Sequence, residues 1–470
     1  MTQHQLYFAY VQHLWAMGES DMAIKRLVHL SDVVDMLSHC KREYKDEFRD
    51  TCWIQLGEWK YSKYSIADAQ IRSDILMAFQ RATAQKSNNY RAWHNWGLIN
   101  FRLAQNERID PVVHQSSSSN LSTKNHNIHT GTIRNHVVAA VEGFVKAVCL
   151  GTKRWTGVVQ QDLLNFLTCI FSYGEYNDVA LAIEKQIPSV QLEAWLGVLP
   201  QILARIHSQT PVVKKTLPRI IISLGEKHPQ ALMFPLNNLI KSPMTPRKQT
   251  AEHIMTALRK KHSGLVEEAK MVSNELMRVA IFWIEQWFNA LEDASRLFFA
   301  DGNIKGMLDI LLPLHKKIES ESVPKTQREK DFCKTFANEL RTAHVHLKRY
   351  IKLLTIDGEK IPTEGKARLR NISADDSVRI NQPEMKGEGE LHRAWDHYYA
   401  VFRNVNRELP GLTACNLERS SPNLLRAKNL KLAIPGSYRP LDKSCVRIAS
   451  FNPKIQIITS KQRPRRIMIR

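Results

Sequence analysis

The chain of 470 residues contains no apolar run long enough to cross a bilayer. Its first residues, Met1 to Tyr10, have neither the basic start nor the apolar centre of a secretion signal. Both absences point to a soluble, intracellular protein. The seven cysteines (Cys40, Cys52, Cys149, Cys169, Cys333, Cys415 and Cys445) are odd in number, widely spaced and never in a C-x-x-C pair. That excludes a disulfide framework and a structural zinc site, and reads as small buried residues in a reducing compartment. His126, His129 and His136 fall in a polar stretch without metal-ligand spacing. No zinc-finger or RNA-recognition motif is present.

What the chain does have is positive charge, a net +21. About half of it lies in residues 411 to 470, where thirteen Lys/Arg face two Asp/Glu, a net of +11. The rest is a near-balanced helical surface. A basic tail without a recognition motif leaves nucleic acid a disfavoured partner.

Apolar residues from the N-terminus to about residue 270 recur at three- and four-residue spacing, which predicts stacked helices. A repeat is visible. Trp53-Ile54-Gln55-Leu56-Gly57 is echoed by Trp93-His94-Asn95-Trp96-Gly97, and Ala78-Phe79-Gln80-Arg81-Ala82 by Gly143-Phe144-Val145-Lys146-Ala147. This resembles a degenerate tetratricopeptide array, in which glycines let helices approach and large residues fill the gaps. Residues 108–135, with Gln115-Ser116-Ser117-Ser118-Ser119-Asn120, read as a solvated insertion, with helix resuming at Val137.

Four helices are predicted from 272 to 408, at about Val272–Phe299, Ile304–Ile318, Lys330–Leu354 and Glu390–Asn406. A polar connection, 355–389, separates the last two. The first and last carry many large rings: Trp283, Trp287, Phe298 and Phe299, then Trp395, Tyr398, Tyr399 and Phe402. Such a surplus over one buried stripe predicts an exposed aromatic groove. The competing reading makes these rings bundle core alone. After Pro410, short β-type runs appear at Leu432–Gly436, Cys445–Ile448, Ile455–Thr459 and Arg466–Arg470. The fold class is therefore mainly α: a tetratricopeptide-like solenoid, a four-helix bundle, then a short, incomplete β segment. So small a meander should need a partner or the remaining residues of a β-rich domain.

The run Met271–Ala280, continuing through Trp283, Trp287 and Leu291-Glu292-Asp293-Ala294-Ser295-Arg296-Leu297-Phe298-Phe299, resembles the FKBP-rapamycin-binding domain of target of rapamycin kinases. Asn303–Met307, Pro313-Leu314-His315 and Arg393–Arg403 extend the likeness. His228-Pro229-Gln230-Ala231-Leu232 and Leu56-Gly57-Glu58-Trp59 resemble the same family's FAT region. Leu432–Gly436 and Thr459–Arg465 resemble the start of its kinase N-lobe. The resemblance implies a FAT-like region over 1–270, the rapamycin-binding bundle over 271–408, and the N-lobe start over 409–470. The sequence contains no Asp-Phe-Gly, no catalytic loop with paired Asp and Asn, and no lysine strand for phosphate. No catalytic residue, metal or cofactor is assigned to it, ATP and magnesium being expected only with a catalytic domain.

By resemblance, the groove is formed by Leu291, Ser295 and Phe299 facing His392, Trp395, Asp396, Tyr399 and Phe402. Positions 291, 295 and 299 share one helical face. Small Ser295 would leave a gap for a flat apolar ligand, with Trp395 as its floor. His392 departs from the threonine common in the family. The resemblance further implies a lipid contact at Arg403 and an inositol-phosphate contact at Arg91. Implied partners are rapamycin with an FK506-binding immunophilin, kinase substrates and other subunits of the family's complex, with membrane contact at most peripheral. The implied location is the cytoplasm, at endomembranes or in the nucleus within a complex. The function this implies is regulatory: a scaffold and substrate-recruiting bundle of a Ser/Thr kinase in growth signalling. The alternative is a stand-alone helical scaffold without kinase activity.

Overall fold

The computed structural model describes residues 3–37, 42–84, 88–109, 122–151, 157–320, 325–356, 387–440 and 444–470. They form two compact units, Met1–His262 and Ser263–Arg470.

The first unit is helical: α1 (Gln3–Ala16), α2 (Ser20–Leu37), α3 (Arg42–Lys63), α4 (Ala69–Thr83), α5 (Tyr90–Ile109), α6 (Ser122–Gly151), α7 (Gly157–Tyr173) and α8 (Asn177–Gln186). Two 3₁₀ segments, Ile187–Ser189 and Leu192–Val198, lead into α9 (Leu199–Ala204), α10 (Pro211–Lys227) and α11 (Pro229–Ile240). The last helix, α12 (Thr245–Ala280), leaves helical geometry at His262 (φ −127°, ψ 43°), and the boundary between the units falls there. Of the polar stretch 108–135, residues 110–121 lie outside the described residues, but α6 starts at Ser122, well before Val137. A polar composition does not stop a helix from propagating out of a packed segment, here Val137–Val148, once its nucleus has formed.

The repeated sequences pack through their glycines. A Cβ on Gly57 would lie 2.6 Å from the Phe79 ring, and one on Gly143 would lie 2.6 Å from the Gly97 backbone. Helices α5 and α6 therefore touch at backbone distance, whereas α3 receives the Phe79 ring of α4 in the space its Gly57 leaves.

The second unit is built on α13 (Trp283–Ser295), α14 (Ile304–Glu319), α15 (Gln327–Ile356) and α16 (Glu388–Glu408). The connection 355–389 falls almost wholly outside the described residues. The bundle core contains Trp287, Leu291, Met307, Leu311, Phe336, Leu340, Tyr398 and Val401. Four of the eight large rings predicted to be surplus are spent here: Trp287 and Tyr398 are fully buried, and Trp283 and Trp395 nearly so.

The helix predicted over Val272–Phe299 is in fact three pieces. Helix α12 ends at Ala280, α13 begins at Trp283, and Arg296–Ala300 is a π-type turn. The break is held by Glu285, whose carboxylate accepts the Phe282 N–H at 2.9 Å and pairs with Arg463 at 3.1 Å and with Arg465. Arg465 also donates to the Val279 carbonyl at 3.1 Å, at the end of α12. The Arg465 guanidinium thus sits at the C-terminus of α12 and the Glu285 carboxylate at the N-terminus of α13, each end carrying the sign its dipole favours, and their ion pair ties the two together.

The C-terminal segment continues with a 3₁₀ turn (Leu409–Gly411), β1 (Ala414–Asn416), α17 (Leu417–Ser420), α18 (Pro422–Arg426), β2 (Lys454–Ile457) and β3 (Arg465–Arg466). The strands form an antiparallel sheet in the order β1-β2-β3, with Cys415 opposite Ile455 and Gln456 opposite Arg466. The Leu432 and Cys445 runs meet at an isolated bridge, Ala433 to Arg447, flanked by hydrogen bonds from Ile434 N–H to the Val446 carbonyl and from Ile448 N–H to the Leu432 carbonyl, and the final run bridges Phe451 to Ile469. The meander finds its partner surface within this unit. Ser421 donates to Glu275 at 2.7 Å, Leu432 N–H to Glu268 at 3.1 Å, and Arg419 to Asp331 at 2.8 Å. Among the described residues, no helix is long and apolar enough to cross a membrane.

Candidate functional site

Helices α13 and α16 pack through their apolar faces and leave a cleft of about 350 Å³ at one end. It is lined by Leu291, Ser295, Phe299, His392, Trp395, Asp396, Tyr399 and Phe402, so the structure brings all eight predicted groove residues together. Two more line it that sequence reasoning did not select, Glu292 and Tyr398. Glu292 follows Leu291 at the rim, and Tyr398 reaches the cleft from the core beside Trp395.

Ring geometry sets the cleft's shape. Trp395, 8% exposed, lies at its base, 5.3 Å from Phe299 and stacked on Phe298 at 5.6 Å. Phe402 stacks on Phe288 at 4.9 Å and closes the other end. Tyr399, 60% exposed, and Phe299, 37% exposed, offer their faces to solvent. Half-buried Ser295 is the one small side chain among them. Phe299 reaches the cleft from the π-type turn rather than from a continuous α-helix, as simple four-residue spacing had predicted. The wider turn directs both Phe298 and Phe299 at Trp395, and such turns are frequent at functional sites.

The indole N–H of Trp395 is buried and has no acceptor among the described residues. His392 sits at the edge, 3.6 Å from Glu388, with its ring edge-on to Phe298 at 6.0 Å. Asp396 and Glu292 are exposed, so the rim is acidic and the interior apolar. This arrangement suits a flat, neutral, largely apolar group, and holds no nucleophile–base pair. Among the described residues, no cluster of His, Cys, Asp or Glu could hold a metal.

The two other candidate residues lie apart from the cleft's lining. Arg403, one turn beyond Tyr399, is exposed with its guanidinium 5.8 Å from the Tyr399 ring. Arg91, in the first unit, forms a two-pronged pair with Glu58, one contact being 2.6 Å. Its charge is thus already matched, and a phosphate there would compete with Glu58.

Comparison with known proteins places these features. Residues 275–407 match the model of the FKBP12-rapamycin binding domain, and residues 1–168 that of the FAT domain. Residues 178–278 match the HEAT repeats of ATR-like serine/threonine-protein kinases. Serine/threonine-protein kinase mTor of Drosophila melanogaster is 32% identical over 477 residues, covering 100% of this chain and 18% of that protein. Serine/threonine-protein kinase TOR of Oryza sativa subsp. japonica is 32% identical over 479 residues, covering 99% and 17%. The chain belongs to the target of rapamycin kinase family. It corresponds to the family's regulatory FAT and rapamycin-binding region, and spans less than a fifth of the length of these relatives. The cleft lies wholly inside the segment matched to the rapamycin-binding domain. A solved structure described as "Complete CtTel1 dimer with C2 symmetry" shares the fold over 100% of this chain and 14% of its own, with a TM-score of 0.52 at 12% identity.

Proposed function

We propose that the α13–α16 cleft binds the complex of rapamycin with an FK506-binding immunophilin, and that it serves as a docking groove for segments of kinase substrates. The observation that carries this reading is the convergence of ten residues on one apolar cleft inside the rapamycin-binding match, with Trp395 beneath and Ser295 as the gap. Binding there follows from shape and apolar area. Rigid rings at Phe299, Trp395, Tyr399 and Phe402 provide contact area at little conformational cost. The acidic rim of Glu292 and Asp396 adds orientation at the edge. In this role the chain supplies recruitment within a Ser/Thr kinase, as a scaffold and a bundle, while phosphoryl transfer belongs to catalytic motifs its sequence does not contain.

The test is capture of the full chain by immobilised immunophilin with and without rapamycin. Capture is expected only with the drug, and Ser295→Trp, which fills the gap, is expected to abolish it. Equal capture of the Ser295→Trp variant, or none of the unaltered chain, contradicts the reading.

A further inference from the structure

Helix α15 separates its charges by face. Its three carboxylates are all committed elsewhere in the unit: Glu329 to Arg278 at 3.1 Å, Asp331 to Arg419 at 2.8 Å, and Glu339 to His397 at 2.6 Å. Five of its six exposed cations fall in a single row, while the sixth, Arg349, lies about 100° round the helix from Lys348 and approaches Glu390 at 4.0 Å. At 100° per residue, Lys330, Lys334, Arg341, Lys348 and Lys352 lie within an arc of about 40° and extend over about 33 Å of helix. Lys348 approaches Glu319 of α14 at 3.8 Å. The other four make no ion pair among the described residues.

Two further features distinguish this row from an ordinary solvated face. Its N-terminal half is concave: Lys325, Lys330, Lys334 and Arg341 share a hollow of about 500 Å³ with Ile318 and Glu319. An apolar side chain flanks it too, Val345 at 45% exposure. None of the residues lining the α13–α16 cleft belongs to α15.

We propose that the basic row of α15 is a second docking surface, independent of the aromatic cleft, for an acidic segment of a partner polypeptide. Charge complementarity selects the class of occupant, since five aligned cations need a run of anions. The length selects its form, because about ten residues of extended chain span the row. Carboxylates would meet the lysines and Arg341, while interspersed apolar side chains meet Val345 and the Ile318 side of the hollow. Single-stranded nucleic acid fits less well, because the row contains no aromatic ring on which a base could stack. A membrane surface fits less well, because the exposed face lacks the Trp, Phe and Leu array that anchors an interfacial helix.

The test measures fluorescence anisotropy of a labelled peptide alternating glutamate with leucine, added to the full chain. A mixed-sequence single-stranded DNA and vesicles of phosphatidylcholine with phosphatidylserine serve as rival probes. The peptide is expected to bind, with affinity falling as salt rises. The triple variant Lys334→Glu, Arg341→Glu, Lys348→Glu is expected to weaken binding about tenfold or more. Lys305→Glu on α14, outside the row, is expected to leave it unchanged. The milder set Lys334→Gln, Arg341→Gln, Lys348→Gln keeps the test decisive should charge reversal unfold the unit, and a partial loss is expected. Retained binding in the Gln set, no binding by the unaltered chain, or tighter binding of the single-stranded DNA or vesicles overturns the proposal.

Discussion

In the centre of the bundle, Nε2 of His315 and the hydroxyl of Tyr398 lie 2.7 Å apart and share a hydrogen bond, joining α14 to α16 beneath the cleft. Both side chains are buried. The His315 ring meets Trp287 edge-on at 5.0 Å and stacks on His344 at 4.2 Å. Burial, reinforced by His344 and Lys348, lowers the His315 pKa to about 3, and burial pushes the Tyr398 hydroxyl up. Both groups are therefore neutral in the folded bundle across the physiological range.

This has a consequence for stability. Unfolded, His315 takes up a proton near pH 6.5, whereas folded it resists until about pH 3. The unfolded chain binds more protons in that window, so the contribution of His315 is complete above about 6.5 and is lost as pH falls towards 3, at about 1.4 kcal/mol per pH unit at most. Thermal unfolding compared at pH 7 and pH 5 is expected to show a smaller pH dependence in His315→Gln than in the unaltered chain. An identical pH dependence would remove His315 as a source of the effect.

Close helix approach in the first unit can be tested at Gly143. An alanine there would place Cβ 2.6 Å from the Gly97 backbone, which cannot move aside as a side chain can. Gly143→Ala is expected to cost about 1–3 kcal/mol, as overpacking does. At Gly264 an added Cβ meets nothing within 4 Å, so Gly264→Ala is expected to be neutral or stabilising by up to about 1 kcal/mol. Denaturant unfolding of both variants checks the pair.

The link between α12, α13 and the C-terminal segment rests on Glu285, Arg463 and Arg465. The Glu285 and Arg465 side chains are only 7% and 5% exposed. Arg465→Met would strand part of a buried carboxylate charge, and because Arg463 remains, a loss of about 3 kcal/mol is expected, the lower end for broken buried pairs. Adding Glu285→Gln is expected to recover part of it. A double-mutant cycle in thermal melts measures the coupling, and simple additivity would show that the pair is not coupled.

Helical periodicity was enough to read α14, α15 and α16 to within a few residues, because each has one apolar stripe and clear ends. It joined α12 to α13 because Ile281 and Phe282 keep the apolar pattern going across the break. The signal that could have separated them is Glu285, three residues after Phe282 and in position to cap its N–H. The cleft was legible because the resemblance named its residues. Spacing alone could not distinguish Trp287, which is core, from Trp395, which lines the site. The docking of the C-terminal meander was not legible at all. It depends on contacts such as Ser421 with Glu275, 146 residues apart in sequence, which no local pattern encodes.

Hydrogen–deuterium exchange of the full chain, with immunophilin and rapamycin added together and separately, tests the central claim most directly, because it reports where binding occurs as well as whether it does. Added together, they are expected to slow exchange in the segments that carry Leu291 to Phe299 and His392 to Arg403, with neither effective alone and α15 left unchanged. Unchanged exchange in those two segments, or protection confined to other helices, would contradict the assignment of the α13–α16 cleft.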